Sequence, residues 1–194
     1  MSFLRSFSEE DAPAVRGEGV WLRAPQIGDY EDWAALRSAS RGFLQPWEPV
    51  WPVDDLSRPA FRRRLRRYTE ERRLDSAHSF FLFRNETREL LGGVTISNIR
   101  RSCAQTGTVG YWMGAPHAGK GYMTAGLRAL IPHAFSVLRL RRLEAACLPV
   151  NERSIRLLEK VGFSREGYAR EYLCIDGVWQ DHLLFALLKS DARG

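Results

Sequence analysis

The stretch TVGYWMGAPHAGKGYMTAGLRALIPHAFSVL, Thr108 to Leu138, decides the fold. Its opening, Thr108-Val109-Gly110-Tyr111-Trp112-Met113, is rich in β-branched and aromatic residues and predicts a strand from about Thr106 to Met113. Its closing part places Leu127, Leu130, Ile131, Ala134, Phe135 and Leu138 at i, i+3, i+4, i+7, i+8 and i+11, the stripe of an amphipathic helix. Pro132 falls inside that helix, removes a backbone hydrogen bond and predicts a kink. Between strand and helix lies a loop, Gly114 to Gly121. The first-turn amides of a helix have no intrahelical acceptor, and the dipole adds partial positive charge there. The pair Gly119 and Gly121 lets an anion approach those amides without a Cβ in the way. Lys120 adds a point charge, and Thr124 a hydroxyl one turn in. The loop therefore suits a pyrophosphate, although a plain glycine-rich turn would read the same. It is neither a P-loop nor a complete G-x-G-x-x-G fingerprint.

Reading outward, residues 1–15 are polar and irregular, the expected composition of a mobile arm. Val20 to Ala24 predicts a strand stopped by Pro25, and Asp29 the N-cap of a helix that buries Trp33, Ala34 and Leu36 and ends before Gly42. FLQPWEPVWP, Phe43 to Pro52, holds three prolines and two tryptophans and is expected as an aromatic loop without regular structure. Phe61, Leu65 and Tyr68 make a narrow apolar stripe in an otherwise arginine-rich helix, Arg58 to Arg73. Strands are predicted at Ser79 to Arg84 and Leu90 to Asn98, and again at Leu143 to Leu148, where Pro149 ends the last. Asn151 then caps a helix with Ile155, Leu158 and Val161 inward and Gly162 as its stop. Gly167 to Ile175 and Trp179 to Leu188 form a hairpin about Asp176-Gly177. The order β-α-α-β-β-β-α-β-α-β-β predicts a single α/β (α+β) domain with a mixed sheet, and 194 residues are short for two domains.

Composition narrows the partners. The net charge is +6, and all but Lys120, Lys160 and Lys189 of the 29 basic residues are arginine. That balance suits a polyanion, whether a phosphorylated cofactor, ribosomal RNA or an acidic protein face, and equally the coding bias of a genome. Cys103, Cys147 and Cys174 show no metal-ligand spacing, and His78, His117, His133 and His182 form no i, i+4 pair, so no metal is expected. No apolar run reaches the roughly 18 residues that span a bilayer, and no secretory pattern opens the chain, so no membrane contact and a cytoplasmic location are expected.

A second constellation follows the loop. Asn151 and Ser154 stand three apart at a helix N-terminus within N-x-x-S-x-x-L-x-E-K-x-G-F, and therefore share a face. Together with the strand ending GYWMG and the loop HAGKGYMT, this motif resembles the GNAT superfamily of acetyl-CoA-dependent N-acetyltransferases. The closing segment EGYAREYLCIDGVWQDHLLFAL, Glu166 to Leu187, and the aromatic loop FLQPWEP are similar to the ribosomal-protein alanine N-acetyltransferases of the RimJ/RimL type. The resemblance covers about Gly19 to Leu188. It implies a mostly antiparallel sheet flanked by helices and splayed between the strands near 106–113 and 143–148.

The resemblance further implies that amides from Ala118 through Gly119, Lys120 and Gly121 to Tyr122, with the Lys120 and Thr124 side chains, hold a coenzyme A pyrophosphate. The edge of Tyr111, Trp112 and Met113 would pair with the pantetheine arm, Asn151 would hydrogen-bond it, and Ser154 would lie by the thioester sulfur. Pro116 stands where the superfamily often has Gln or Arg three residues before the first glycine, which moves the expected anchoring onto backbone amides. Glu171 in REYL matches a catalytic base, Ser154 a proton donor to the departing thiolate, and Tyr172 is the alternative acid.

The implied acceptor is a protein N-terminal amine, whose pKa of about 8 lies roughly two units below that of lysine and leaves it easier to deprotonate. A small amine such as a polyamine, amino acid or aminoglycoside is the alternative, and a non-catalytic coenzyme A- or ribosome-binding module a further one. Cys147 and Cys174 would serve an acyl-cysteine route only with an activating base, and no histidine adjoins either. Phe43, Trp47, Trp51 and Tyr30 are expected to wall an acceptor groove, and the Arg58 to Arg73 helix either faces water or touches ribosomal RNA. A monomer and a homodimer are both compatible with this reading.

Overall fold

The computed structural model describes residues 15–191. Eight strands form one sheet in the order β1-β2-β3-β4-β5-β6-β8-β7, where β1 is Val15–Gly17, β2 Val20–Arg23, β3 His78–Arg84, β4 Leu90–Arg100, β5 Thr106–Met113, β6 Arg142–Cys147, β7 Ser164–Ile175 and β8 Val178–Leu188. The helices are α1 (Tyr30–Ala39), α2 (Arg41–Leu44), α3 (Arg58–Arg73), α4 (Tyr122–Ser136) and α5 (Glu152–Lys160). The expected arm over residues 1–15 lies outside the described residues except for Val15, which opens β1.

Alternation along the strands sorts the core into two layers. Phe80 and Leu82 of β3 face α4 and α5, whereas Phe81 and Phe83 face α1 and α3. The stripe expected in α4 is buried on the first side, with Leu127, Leu130, Ile131, Ala134 and Phe135 all inaccessible, and Pro132 sits within the helix. On the second side Trp33 of α1 meets Phe61 of α3 in a tilted contact, ring centroids 4.8 Å apart. The sheet is thus covered on both faces, each large apolar side chain contributing about 1.5–3 kcal/mol by leaving water.

Asp29 is the N-cap of α1 as expected. Its carboxylate accepts from the Arg23 guanidinium at 2.5 and 2.7 Å and from the Gln26 amide, and no side-chain cap bond forms. One local expectation is corrected. The aromatic loop is not wholly irregular: α2 and a 3-10 turn at Gln45–Trp47 occupy part of it, with Pro46 just inside the turn where its missing N–H costs nothing.

All neighbouring strands pair antiparallel except β5 and β6, which run parallel and touch only at Thr106↔Arg142, Gly107↔Leu143 and Thr108↔Glu144. From Val109 to Met113 the β6-facing edge of β5 has no ladder partner, while β6 stays paired to β8 as far as Cys147↔Leu183. The sheet therefore splays open as expected. Among the described residues no helix is long and apolar enough to cross a membrane.

Candidate active site

The splay is faced by two helix N-termini of contrasting chemistry. In α5 the Asn151 carboxamide oxygen accepts from the Ser154 amide at 3.1 Å, the cap expected from sequence. In α3 the Ser57 hydroxyl caps the Ala60 amide. In α4 no side chain caps the first turn. Its N-cap, Gly121, has φ +85 and Gly119 has φ +76, and a Cβ at either would meet nothing within 4 Å. These glycines are needed for their left-handed backbone, and they leave the orphan amides open to a ligand. Lys120, Gly121, Tyr122 and Thr124 line a cleft of about 490 Å³ there, together with Arg16, Arg128, Lys160 and Glu18. Four cations against one carboxylate give the cleft the charge that a polyphosphate requires. A second cavity of similar size lies by Gln105 at the opposite end of β5, but its Arg101 is already bonded to Asp75 and to the Leu138 carbonyl.

Below the uncapped helix, His117 is buried, with Nε2 3.5 Å from Glu89 and Nδ1 unpartnered. Burial lowers its pKa and keeps the ring neutral. Arg84 pairs with Glu89 and lies 5.1 Å over the Tyr122 ring, which steadies the loop from beneath. Ala118 follows the 3-10 turn Ala115–His117, so Pro116 sits where a missing N–H is harmless.

On the floor of the splay the structure joins Tyr111, Ser154 and Cys147. The Tyr111 and Ser154 hydroxyls are 2.5 Å apart, bridging β5 and α5. Burial pushes the Tyr111 pKa far above the usual phenol range, so the phenol stays protonated. The Cys147 thiol is likewise pushed up by burial, although its hydrogen bond with Ser154 opposes this. A thiol held protonated is a poor nucleophile, which disfavours an acyl-cysteine route. Met113 and Tyr111 pack on the α4 side of the sheet, whereas Trp112 turns to the other face, edge-on to Phe81 at 6.4 Å.

Glu171 and Tyr172 do not join that cluster. Both lie exposed on β7, two strands from β6. The Glu171 amide donates to Asp181 at 2.9 Å, and the Tyr172 ring meets His182 at 5.7 Å. Of the aromatic residues expected in a groove wall, Tyr30 packs on Phe61 in the core and donates to the Leu56 carbonyl. Trp47 is partly exposed, and Phe43 lies under Arg153. Trp51 covers Arg37, a buried cation that sequence reasoning missed. Arg37 forms a bidentate pair with Glu48 at 2.7 and 2.8 Å, and its guanidinium is 4.1 Å from Trp51 and 5.0 Å from Trp112. The Glu48 carbonyl accepts from the Asp176 amide, so the aromatic loop is latched to the turn of the β7–β8 hairpin beside the splay. Among the described residues no three His, Cys, Asp or Glu side chains gather as a metal-holding group.

A sheet splayed at one parallel junction, faced by an uncapped glycine-fronted helix, defines the fold class of the GNAT acetyltransferases. The model of the acetyltransferase (GNAT) domain matches residues 19–164, and the chain belongs to that family. It is 36% identical over 183 residues to the [ribosomal protein uS5]-alanine N-acetyltransferase of Escherichia coli strain K12, covering 93% of this chain and 94% of the other. It is 34% identical over 177 residues to the probable N-acetyltransferase YjcK of Bacillus subtilis strain 168, covering 91% and 98%. Among solved structures, Mycobacterium smegmatis RimJ in complex with CoA-disulfide superposes with a TM-score of 0.87 at 29% identity, over 94% of this chain and 89% of that one. The protein is an acetyltransferase.

Proposed function

We propose that the chain moves an acetyl group from acetyl-CoA to the N-terminal α-amine of a protein, a ribosomal protein being the leading acceptor, by direct attack. The observation that carries the donor is the uncapped α4 N-terminus opening onto a cationic cleft beside the splay. The residues present fit coenzyme A: amides from Ala118 to Tyr122, with Lys120 and Thr124, take the pyrophosphate, and the unpaired edge of Tyr111, Trp112 and Met113 takes the pantetheine. The Asn151 oxygen is occupied by the Ser154 amide, which leaves its NH₂ to donate to the pantetheine. Glu171 draws a proton from the acceptor amine, the Met113 amide serves the developing oxyanion, and the Ser154 hydroxyl protonates the leaving thiolate. Tyr172, held against His182, is the alternative acid. The protein acceptor is supported by the relative named for acetylating uS5 alanine.

Thiol release from acetyl-CoA, measured against alanine-initiated peptides, polyamines and water alone, tests the reading. Peptide-dependent release is expected. Release with polyamines only would make the enzyme a small-amine acetyltransferase, and release with no acceptor at all would leave a binding module. Glu171→Gln should lower kcat near pH 7 by about 10²-fold or more, with the KM for acetyl-CoA nearly unchanged. An unaltered rate would remove Glu171 as base.

The arginine-rich α3 is a candidate ribosomal RNA contact. Arg58, Arg63, Arg64, Arg67 and Arg73 are engaged by carboxylates, whereas Arg62, Arg66 and Arg72 are exposed and without an ion-pair partner among the described residues, the first two one turn apart. Ribosome association that weakens steeply with salt and is lost on Arg62→Ala with Arg66→Ala would support the contact. Its absence at low salt would remove it.

A further inference from the structure

Strand β7 is one of the two outer strands of the sheet, and its pairing with β8 is interrupted where the candidate base sits. The register reads Ala169↔His182 and resumes at Leu173↔Gln180. Arg170, Glu171 and Tyr172 together therefore oppose Asp181, an insertion two residues larger than a regular ladder allows. Glu171 has φ +46, in the left-handed region that L side chains avoid unless their surroundings impose it. Glutamate has no short polar side chain to stabilise that conformation locally, as asparagine or aspartate would.

The imposing group is Asp181. One of its carboxylate oxygens accepts from the Glu171 amide at 2.9 Å, and the other accepts from the Tyr168 hydroxyl. Asp181 thus ties the inserted residues at their middle and just before their start. The Tyr168 hydroxyl and then the Glu171 amide hold its carboxyl below the usual carboxylate range, so it remains an acceptor at neutral pH. Bulges on outer strands also serve to blunt an edge against pairing with other chains. That purpose needs irregular backbone, but no bond to the one amide whose residue is left-handed.

We propose that Asp181 is a positioning residue, clasping the β7 bulge so that Glu171 is held in the left-handed conformation from which it serves the acceptor amine. The inference rests on reading Glu171 as the base, and the experiment separates the two. Asp181→Ala should lower kcat by about 10- to 100-fold, leaving the KM for acetyl-CoA within about twofold. Asp181→Asn should restore most of the rate. Its carbonyl still accepts from the Glu171 amide, and its NH₂ can donate to the Tyr168 oxygen.

The three-bond HN–Hα coupling of residue 171, which reports φ, gives a readout independent of activity. Wild type and Asp181→Asn should agree, and Asp181→Ala should move toward the extended value. A coupling unchanged in Asp181→Ala overturns the clasp, and so does Asp181→Asn as impaired as Asp181→Ala. A shifted coupling with kcat intact in both Asp181→Ala and Glu171→Gln would leave the clasp standing and remove Glu171 as base.

Discussion

At the scale of single residues, the contact between Tyr111 and Ser154 has the clearest consequence for the chemistry. A serine hydroxyl carries one hydrogen and two acceptor lone pairs. Either hydroxyl can donate in this contact. When the buried phenol donates into Ser154 Oγ, the serine's own hydrogen is left for a sulfur, that of Cys147 in the structure or a departing one in the splay. Ser154→Ala is expected to lower kcat by about 10²-fold and to spare α5, because the cap bond uses the backbone amide of residue 154. Tyr111→Phe should lower kcat less, with the KM for acetyl-CoA little changed. Since both groups act through one hydroxyl, the double variant should be no slower than Ser154→Ala alone, and losses that add would place the tyrosine's role elsewhere.

At the scale of elements, the aromatic loop is tied to the β7–β8 turn through Glu48 and Gln45, and Glu48 is itself held by one buried ion pair. Arg37→Ala would leave Glu48 and the faces of Trp51 and Trp112 without their cation and should cost about 3 kcal/mol, read as a lowered midpoint in urea. Arg37→Leu with Glu48→Leu should cost much less, because no unpaired charge remains. This is also the scale at which sequence and structure part company. The α4 stripe, the Asn151 cap, the glycines of the loop and the Asp176-Gly177 turn were legible because each is a local rule. Both turn residues are in fact left-handed, at φ +47 and +81, as a two-residue hairpin demands.

What stayed hidden is set by distant partners. The first strand is three residues long and shows no alternation to read. Arg37 is buried because Glu48 and two tryptophans meet it, and nothing in its neighbourhood of sequence marks it as inaccessible. The left-handed Glu171 owes its conformation to an aspartate ten residues on. The motif pointed to Glu171 by resemblance, while the bond that holds its backbone was invisible.

At the scale of the whole molecule, three imidazoles couple stability to pH. His78, His117 and His133 each have a lowered pKa, chiefly through burial. As pH falls through 6.5 their unfolded counterparts protonate first, while the folded rings stay neutral. The unfolded state then binds more protons, so stability is greatest above that value and declines below it until the folded pKa values are reached. The melting temperature should therefore fall between about pH 7 and pH 5, and His117→Gln should flatten part of the slope. A melting temperature that rises on acidification over this range would contradict the assignment.

The short parallel junction of β5 and β6 makes the sheet mechanically uneven. Two antiparallel leaves, β1 to β5 and β6 with β8 and β7, are hinged along a spine of three residue pairs, with α4 as backing. Tension applied across the leaves should part the spine while each leaf remains intact. A donor lying along the open edge of β5 would then act as a brace, adding strand-like bonds where the chain itself supplies none.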